Sequence, residues 1–191
     1  MNKGRLEAFS DAVIAIAITI MVLELVPPHG ATLDDLATIG PTFLSYVLSF
    51  VYLGLYWNNH HHLLQATKVI DGRVLLANLH LLFWLTLVPF GNAWMGENNL
   101  AAVPVAAYGV VMLLAAFANF LLVMAILRCQ PPDSTLATAI GGDAKGKLSV
   151  LAFLVAIPIA LVVPLAAVAI YIGMAAVWFI PDRRIERAVG R

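Results

Sequence analysis

The sequence predicts an all-α integral membrane protein with six transmembrane helices per subunit, and three observations carry that prediction. The first is composition: of 191 residues 62% are hydrophobic and only 12% charged, with a mean hydropathy of +0.92, well above the apolar share of a soluble domain. The second is arrangement, since the apolar residues come in long blocks rather than alternating with polar ones, which argues for helices and against a barrel. The third is the placement of charge. Net charge is zero, yet every lysine and arginine falls in alternate connections, and the connections between them carry none.

The first helix is expected over residues 6–26. Arg5, Glu7, Ser10 and Asp11 stand at its start, followed by an apolar run interrupted only by Thr19 and Glu24. Ionisable groups at the mouth of a membrane helix are costly and face protein or water rather than lipid, so they count as functional candidates. Asp11, and the lack of a small-residue cleavage pattern before Pro27-Pro28, disfavour a secretory signal. Pro27-Pro28-His29-Gly30 ends the helix.

A second helix is expected over 41–64, closing on Tyr56-Trp57-Asn58-Asn59-His60-His61-His62, and a third over 74–94, carrying Asn78 and His80, with Pro89 near its far end. Gly96-Glu97-Asn98-Asn99 forms the next turn, and a fourth helix spans 103–127. The last apolar run, Leu148 to Pro181, is too long for one helix. A break near Val163-Pro164 divides it into 148–162 and 164–180, because proline suits the first turn of the later helix. Residues 1–191 then form a single membrane domain.

All 11 lysines and arginines then fall on one side of the membrane: Lys3 and Arg5, Lys68 and Arg73, Arg128, Lys145 and Lys147, and Arg183, Arg184, Arg187 and Arg191. Five helices would strand the C-terminal arginines opposite the rest, so the positive-inside rule favours six, with both termini cytoplasmic in the plasma membrane. Asp34, Asp35 and Glu97 lie in the outer loops, with Glu24 at the outer end of helix one. Such acids could form a vestibule that concentrates cations, or be ordinary solvated loop residues.

Ala12, Ile16, Thr19 and Leu23 share one narrow stripe of helix one at about 100° per residue. Small, branched and hydroxylated residues suit a constriction, although packing on neighbouring helices is the usual use of a stripe. The consecutive histidines cannot converge on one ion without unwinding, since helical metal sites use spacings of three or four. A hydrogen-bonded role with acids such as Asp11 fits them better. Gly54 reads as a close-packing point, and Cys129, the single cysteine, as an apolar filler or interfacial thiol. No nucleophile elbow, phosphate loop, HExxH or TVGYG filter is present.

Taken together, Arg5-xxx-Phe9-Ser10-Asp11, the Trp57-Asn58-Asn59-His60-His61 tip, Asn78-Leu79-xx-Leu82-Phe83 running to Pro89-Phe90, and Trp178-Phe179-Ile180-Pro181-Asp182-Arg183-Arg184 resemble the prokaryotic branch of the transmembrane protein 175 family. The resemblance covers nearly the whole chain. It implies a potassium-permeable cation channel, not an enzyme, with helix one lining a central pore in a homotetramer. It implies a side-chain constriction at Ile16, Thr19 and Leu23, K+ in transit, no cofactor or fixed metal, and no nucleic-acid partner. It also implies a polar network in which Arg5, Ser10 and Asp11 join Trp57, His60 or His61, and Asn78. Two competitors stay open: a cation or proton-coupled transporter using Asp11 and the histidines as a relay, and a metalloenzyme using the histidine tip.

Overall fold

The computed structural model describes residues 3–130 and 144–179, all of whose regular elements are helical. Arg183, Arg184, Arg187 and Arg191, and the Ile180-to-Arg184 part of the closing motif, lie outside the described residues. The elements are α1 (Lys3–Ile20), a 3-10 turn (Met21–Glu24), α2 (Leu33–Ala37), α3 (Gly40–Gln65), α4 (Gly72–Thr86), α5 (Val88–Glu97), α6 (Ala102–Cys129), α7 (Ala144–Val162) and α8 (Pro164–Phe179).

Four helical stretches among the described residues are long and apolar enough to cross a membrane: Lys3–Glu24, Gly72–Glu97, Ala102–Cys129 and Lys145–Val162. The sequence count of six is thus met only in part. α8 is apolar but has 16 residues, and α3 has 26 but carries Ser45, Ser49, Tyr52 and the histidine tip, which lower its hydropathy. Of these, Ser45, Ser49, Tyr52 and His60 are buried and partnered inside the bundle. The Ser49 hydroxyl donates to Tyr108 Oη at 3.1 Å, and Tyr171 Oη donates to the Val105 carbonyl at 3.1 Å, tying α3, α6 and α8.

Two expected helices differ in detail. Helix one tightens into the 3-10 turn at Met21, as helix C-termini often do. The third helix is interrupted at Leu87, two residues before Pro89, which supplies no N–H to the ladder. A third difference concerns glycine. Nothing lies within 4 Å of a Cβ built on Gly54, so it is not a packing point within the protomer. Gly96 is, because a Cβ there would sit 2.8 Å from Thr42 Cα, so α3 and α5 approach backbone to backbone. The α5–α6 turn uses two non-glycine left-handed residues, Asn99 at φ 52° and Leu100 at φ 57°, with Leu100 buried beneath it.

Side-chain and backbone contacts gather one end of the bundle. Lys3 Nζ donates to the Gln65 carbonyl at 3.0 Å, linking the start of α1 to the end of α3. Gln130, just past α6, accepts from Lys68 N at 3.1 Å and donates to the Val69 carbonyl at 3.0 Å, clamping the α3–α4 connection. Lys145 Nζ lies 5.7 Å from the Trp178 ring centroid, joining the start of α7 to the end of α8. The described lysines and arginines therefore collect at this basic end.

Asp71 caps α4 there, accepting from Arg73 N at 2.9 Å and Val74 N at 3.0 Å. The Val74 amide, followed by the Cys129 thiol, holds its carboxyl below the ordinary carboxylate range. A lowered carboxyl contributes stability above its unfolded pKa and loses it as pH falls through the folded value. Asp71→Ala is therefore expected to lower the thermal midpoint at neutral pH, with the difference from wild type closing in acid. Equal midpoints across that range would refute the capping role.

Candidate functional site

α1 packs on α3 and α4 and has two unlike faces. Leu6, Ser10, Ile14 and Ala17, continued by Met21, are buried. On the other side Ala12, Ile16 and Thr19, with Leu23 in the 3-10 turn, are exposed. Ile16 is 59% and Leu23 75% exposed, so the stripe is not the face that packs within the protomer. Thr19 Oγ1 donates back to the Ala15 carbonyl at 2.9 Å and lies 3.0 Å from that of Ile16. With the hydroxyl proton turned to the backbone, its lone pairs remain for an outside donor or cation. Glu24 is half-buried at the end of the turn.

The buried face of α1 carries the polar site. Ser10 and Asn78 are both 0% exposed and His60 2%, which obliges each to find a partner. His60 Nε2 meets Asn78 Oδ1 at 2.7 Å, Asn78 Nδ2 donates to Ser10 Oγ at 2.9 Å, and Ser10 donates to the Leu6 carbonyl at 2.9 Å. The amide uses its nitrogen toward Ser10, so its oxygen accepts and His60 must carry its proton on Nε2. One chain of donors thus runs from α3 through α4 into the backbone of α1.

A second contact reaches the same helix from the same tip. Trp57 Nε1 donates to Asp11 Oδ1 at 3.0 Å, and His61, one turn on, stacks against Trp57 with centroids 5.9 Å apart and planes at 23°. The choice between neighbouring histidines is settled by the turn of the helix. His60 faces inward to Asn78, while His61 is exposed beside Trp57. Asp11 takes the indole rather than a histidine. Arg5 is exposed and makes no hydrogen bond or ion pair to the network among the described residues. Five residues before Ser10, it lies about 140° around the helix.

Some polar features had little signal in the sequence. Asn92, in α5, is 0% exposed, and neither Nδ2 nor Oδ1 finds a partner. His62 Nδ1 is likewise buried and unpaired. His80 accepts from Trp84 Nε1 at 2.9 Å on an exposed face of α4. Among the described residues no three His, Cys, Asp or Glu side chains are grouped to hold a metal ion.

A helical membrane bundle whose first helix is pinned on one face by buried polar contacts, and left open on the other by an apolar and hydroxyl stripe, defines a polytopic membrane protein. The family model described as the endosomal/lysosomal potassium channel TMEM175 matches residues 5–89. A potassium channel of Chryseobacterium sp. (strain P1-3) is 47% identical over 189 residues, covering 99% of this chain and 98% of that one. The chain belongs to the TMEM175 family. The crystal structure of a lysosomal potassium-selective channel TMEM175 homolog from Chamaesiphon minutus superimposes with a TM-score of 0.82 at 27% identity, covering 94% of this chain and 97% of that one. The human endosomal/lysosomal proton channel TMEM175 is 35% identical over 96 residues, which are 44% of this chain and 19% of that one. These relatives are named as channels, not as enzymes.

Proposed function

We propose that this chain is a potassium-permeable cation channel in which four copies surround a pore lined by α1, narrowed by rings of Ile16, Thr19 and Leu23. The observation that carries the reading is the exposure of that stripe on a helix whose opposite face is buried. One helix encloses no pore, and closed rotational symmetry turns each stripe residue into a ring. Isoleucine and leucine rings gate by dewetting, while a threonine ring offers hydroxyl oxygens to a partly dehydrated ion. The back-bonded Thr19 hydroxyl suits that task because its lone pairs are uncommitted.

In this reading the chain crosses the plasma membrane of a prokaryote six times with both termini cytoplasmic, so the Ser10-Asn78-His60 chain and the Asp11-Trp57 contact brace the cytoplasmic mouth. Glu24 stands toward the outer end, where a carboxylate raises local cation concentration. No fixed metal, cofactor or nucleic acid enters the mechanism, and K+ is the transported ion. A proton relay through Asp11 and the histidines fits poorly. The indole that meets Asp11 only donates, and Asn78 separates His60 from Ser10 by an amide that holds hydrogen bonds without passing protons.

The test is reversal potential in planar bilayers under potassium, sodium and pH gradients. Discrete openings with a potassium-shifted reversal are expected. Thr19→Ala is expected to move that reversal toward the non-selective value, and Thr19→Ser to restore it. Slow saturating flux without openings would favour a transporter, and a reversal following only the pH gradient would favour the proton conduction named for the vertebrate relatives.

A further inference from the structure

Away from the α1 stripe, a cavity of about 30 Å³ lies between α3, α6, α7 and α8, room for roughly two water-sized groups. Its walls include Tyr56 and Asn59 of α3, Asn119 of α6, Ser149 and Phe153 of α7, and Trp178 of α8. Ser149 is already committed, accepting from Trp178 Nε1 at 2.8 Å and donating to the Lys145 carbonyl at 2.9 Å. The side chains of Tyr56, Asn59 and Asn119 make no hydrogen bond among the described residues. Two carboxamides and a phenol, each both donor and acceptor, thus surround one small space.

Among the described residues no charged side chain lines that space, and a charge moved there from water would lose its hydration without a counter-ion from them. The wanted occupant is a neutral group that donates and accepts at once, which is a hydroxyl. Asn59 lies six residues before the end of α3 and Asn119 ten before the end of α6, about 9 and 15 Å along the helices at 1.5 Å per residue. That depth reaches past the headgroup layer into the upper hydrocarbon. Asn119 and Trp178 are partly exposed, so the space opens at the protein surface, and Phe153 and Trp178 give it an aromatic wall.

We infer that this cavity is a binding site for the hydroxyl end of an uncharged membrane lipid of the diacylglycerol type, with its acyl chains along the outside of α6 and α8. The competing occupant is an anionic phospholipid, because Lys145 stands over the Trp178 ring. Another is water alone.

Native mass spectrometry of the purified protein, titrated with diacylglycerol or with phosphatidylglycerol, decides among them without recording any current. Wild type is expected to retain diacylglycerol in preference, and Asn119→Leu, which fills the space with an apolar group of similar size, to weaken retention about tenfold, the worth of one hydrogen bond. If Asn119→Leu fails to assemble, Tyr56→Phe removes a single hydroxyl and carries the same expectation. Equal retention of diacylglycerol by wild type and the assembled variants would mean water alone fills the cavity, and would overturn the inference. Preferential retention of phosphatidylglycerol would overturn it in favour of the anionic lipid.

Discussion

Leu23→Ala is expected to raise unitary potassium conductance about five- to tenfold and to weaken discrimination against sodium. Leu23 is 75% exposed in the protomer and sits in the 3-10 turn that closes helix one, where four copies would meet around a narrow axis. An apolar ring excludes water, so an ion crossing it sheds hydration without receiving oxygen ligands. Shrinking the ring admits water and lowers that barrier, and each reduction of about 1.4 kcal/mol is tenfold in rate. Ile16→Ala should act in the same direction. Ile14→Val supplies the contrast, because Ile14 is 0% exposed on the packed face; it should cost about 0.5–1.5 kcal/mol of stability and leave conductance alone. Single-channel recording of correctly assembled protein is the check. Unchanged currents in both Leu23→Ala and Ile16→Ala would remove the stripe from the pore.

Asn78→Leu is expected to destabilise the protein as strongly as any single exchange in the chain. The leucine matches the asparagine in size but leaves the His60 Nε2 proton without an acceptor in a site where His60 is 2% exposed. Abandoning that donor costs about 1–3 kcal/mol, and losing the second bond, to Ser10, adds to it. Because folded proteins are stable by only about 5–15 kcal/mol, this is a large share. The double variant Asn78→Leu, His60→Leu should recover part of the loss, since removing both partners is far cheaper than stranding one. Thermal unfolding in detergent measures both effects. A midpoint unmoved by Asn78→Leu would show that the chain from α3 to α1 is not what fixes α1. With α1 loosened, open-channel noise should also rise, a readout that a purely local packing defect elsewhere would not give.

Much about this protein was legible without coordinates, for reasons that can be traced to particular residues. Apolar blocks too long for a soluble core identified a membrane protein, and Pro164 marked a helix start because it needs no N–H donor at that position. The stripe of Ala12, Ile16, Thr19 and Leu23 follows from helical geometry alone. Geometry says only that those residues share a face, however, and not whether the face is covered. That depended on where α3 and α4 lie against α1, a long-range arrangement with no local signature. The same limit explains Gly54 and Gly96. Both are glycines near helix interiors or ends, and only the position of Thr42 makes one of them indispensable.

Charge and composition, by contrast, act through the solvent and need no partner to be specified. The excess of apolar residues, and the confinement of lysine and arginine to alternate connections, were determined by the sequence itself. Tertiary structure decided which of two adjacent histidines turns inward, that Asp11 meets an indole rather than an imidazole, and that Arg5 stays outside the network. Among the described residues it also left the Asn92 side chain buried without a partner. Hydrogen bonds are short-ranged and directional, so their pairing is fixed only when distant segments are brought within about 3 Å. Hydrophobic burial follows the amount of apolar surface rather than its partners, and so it can be read along the chain.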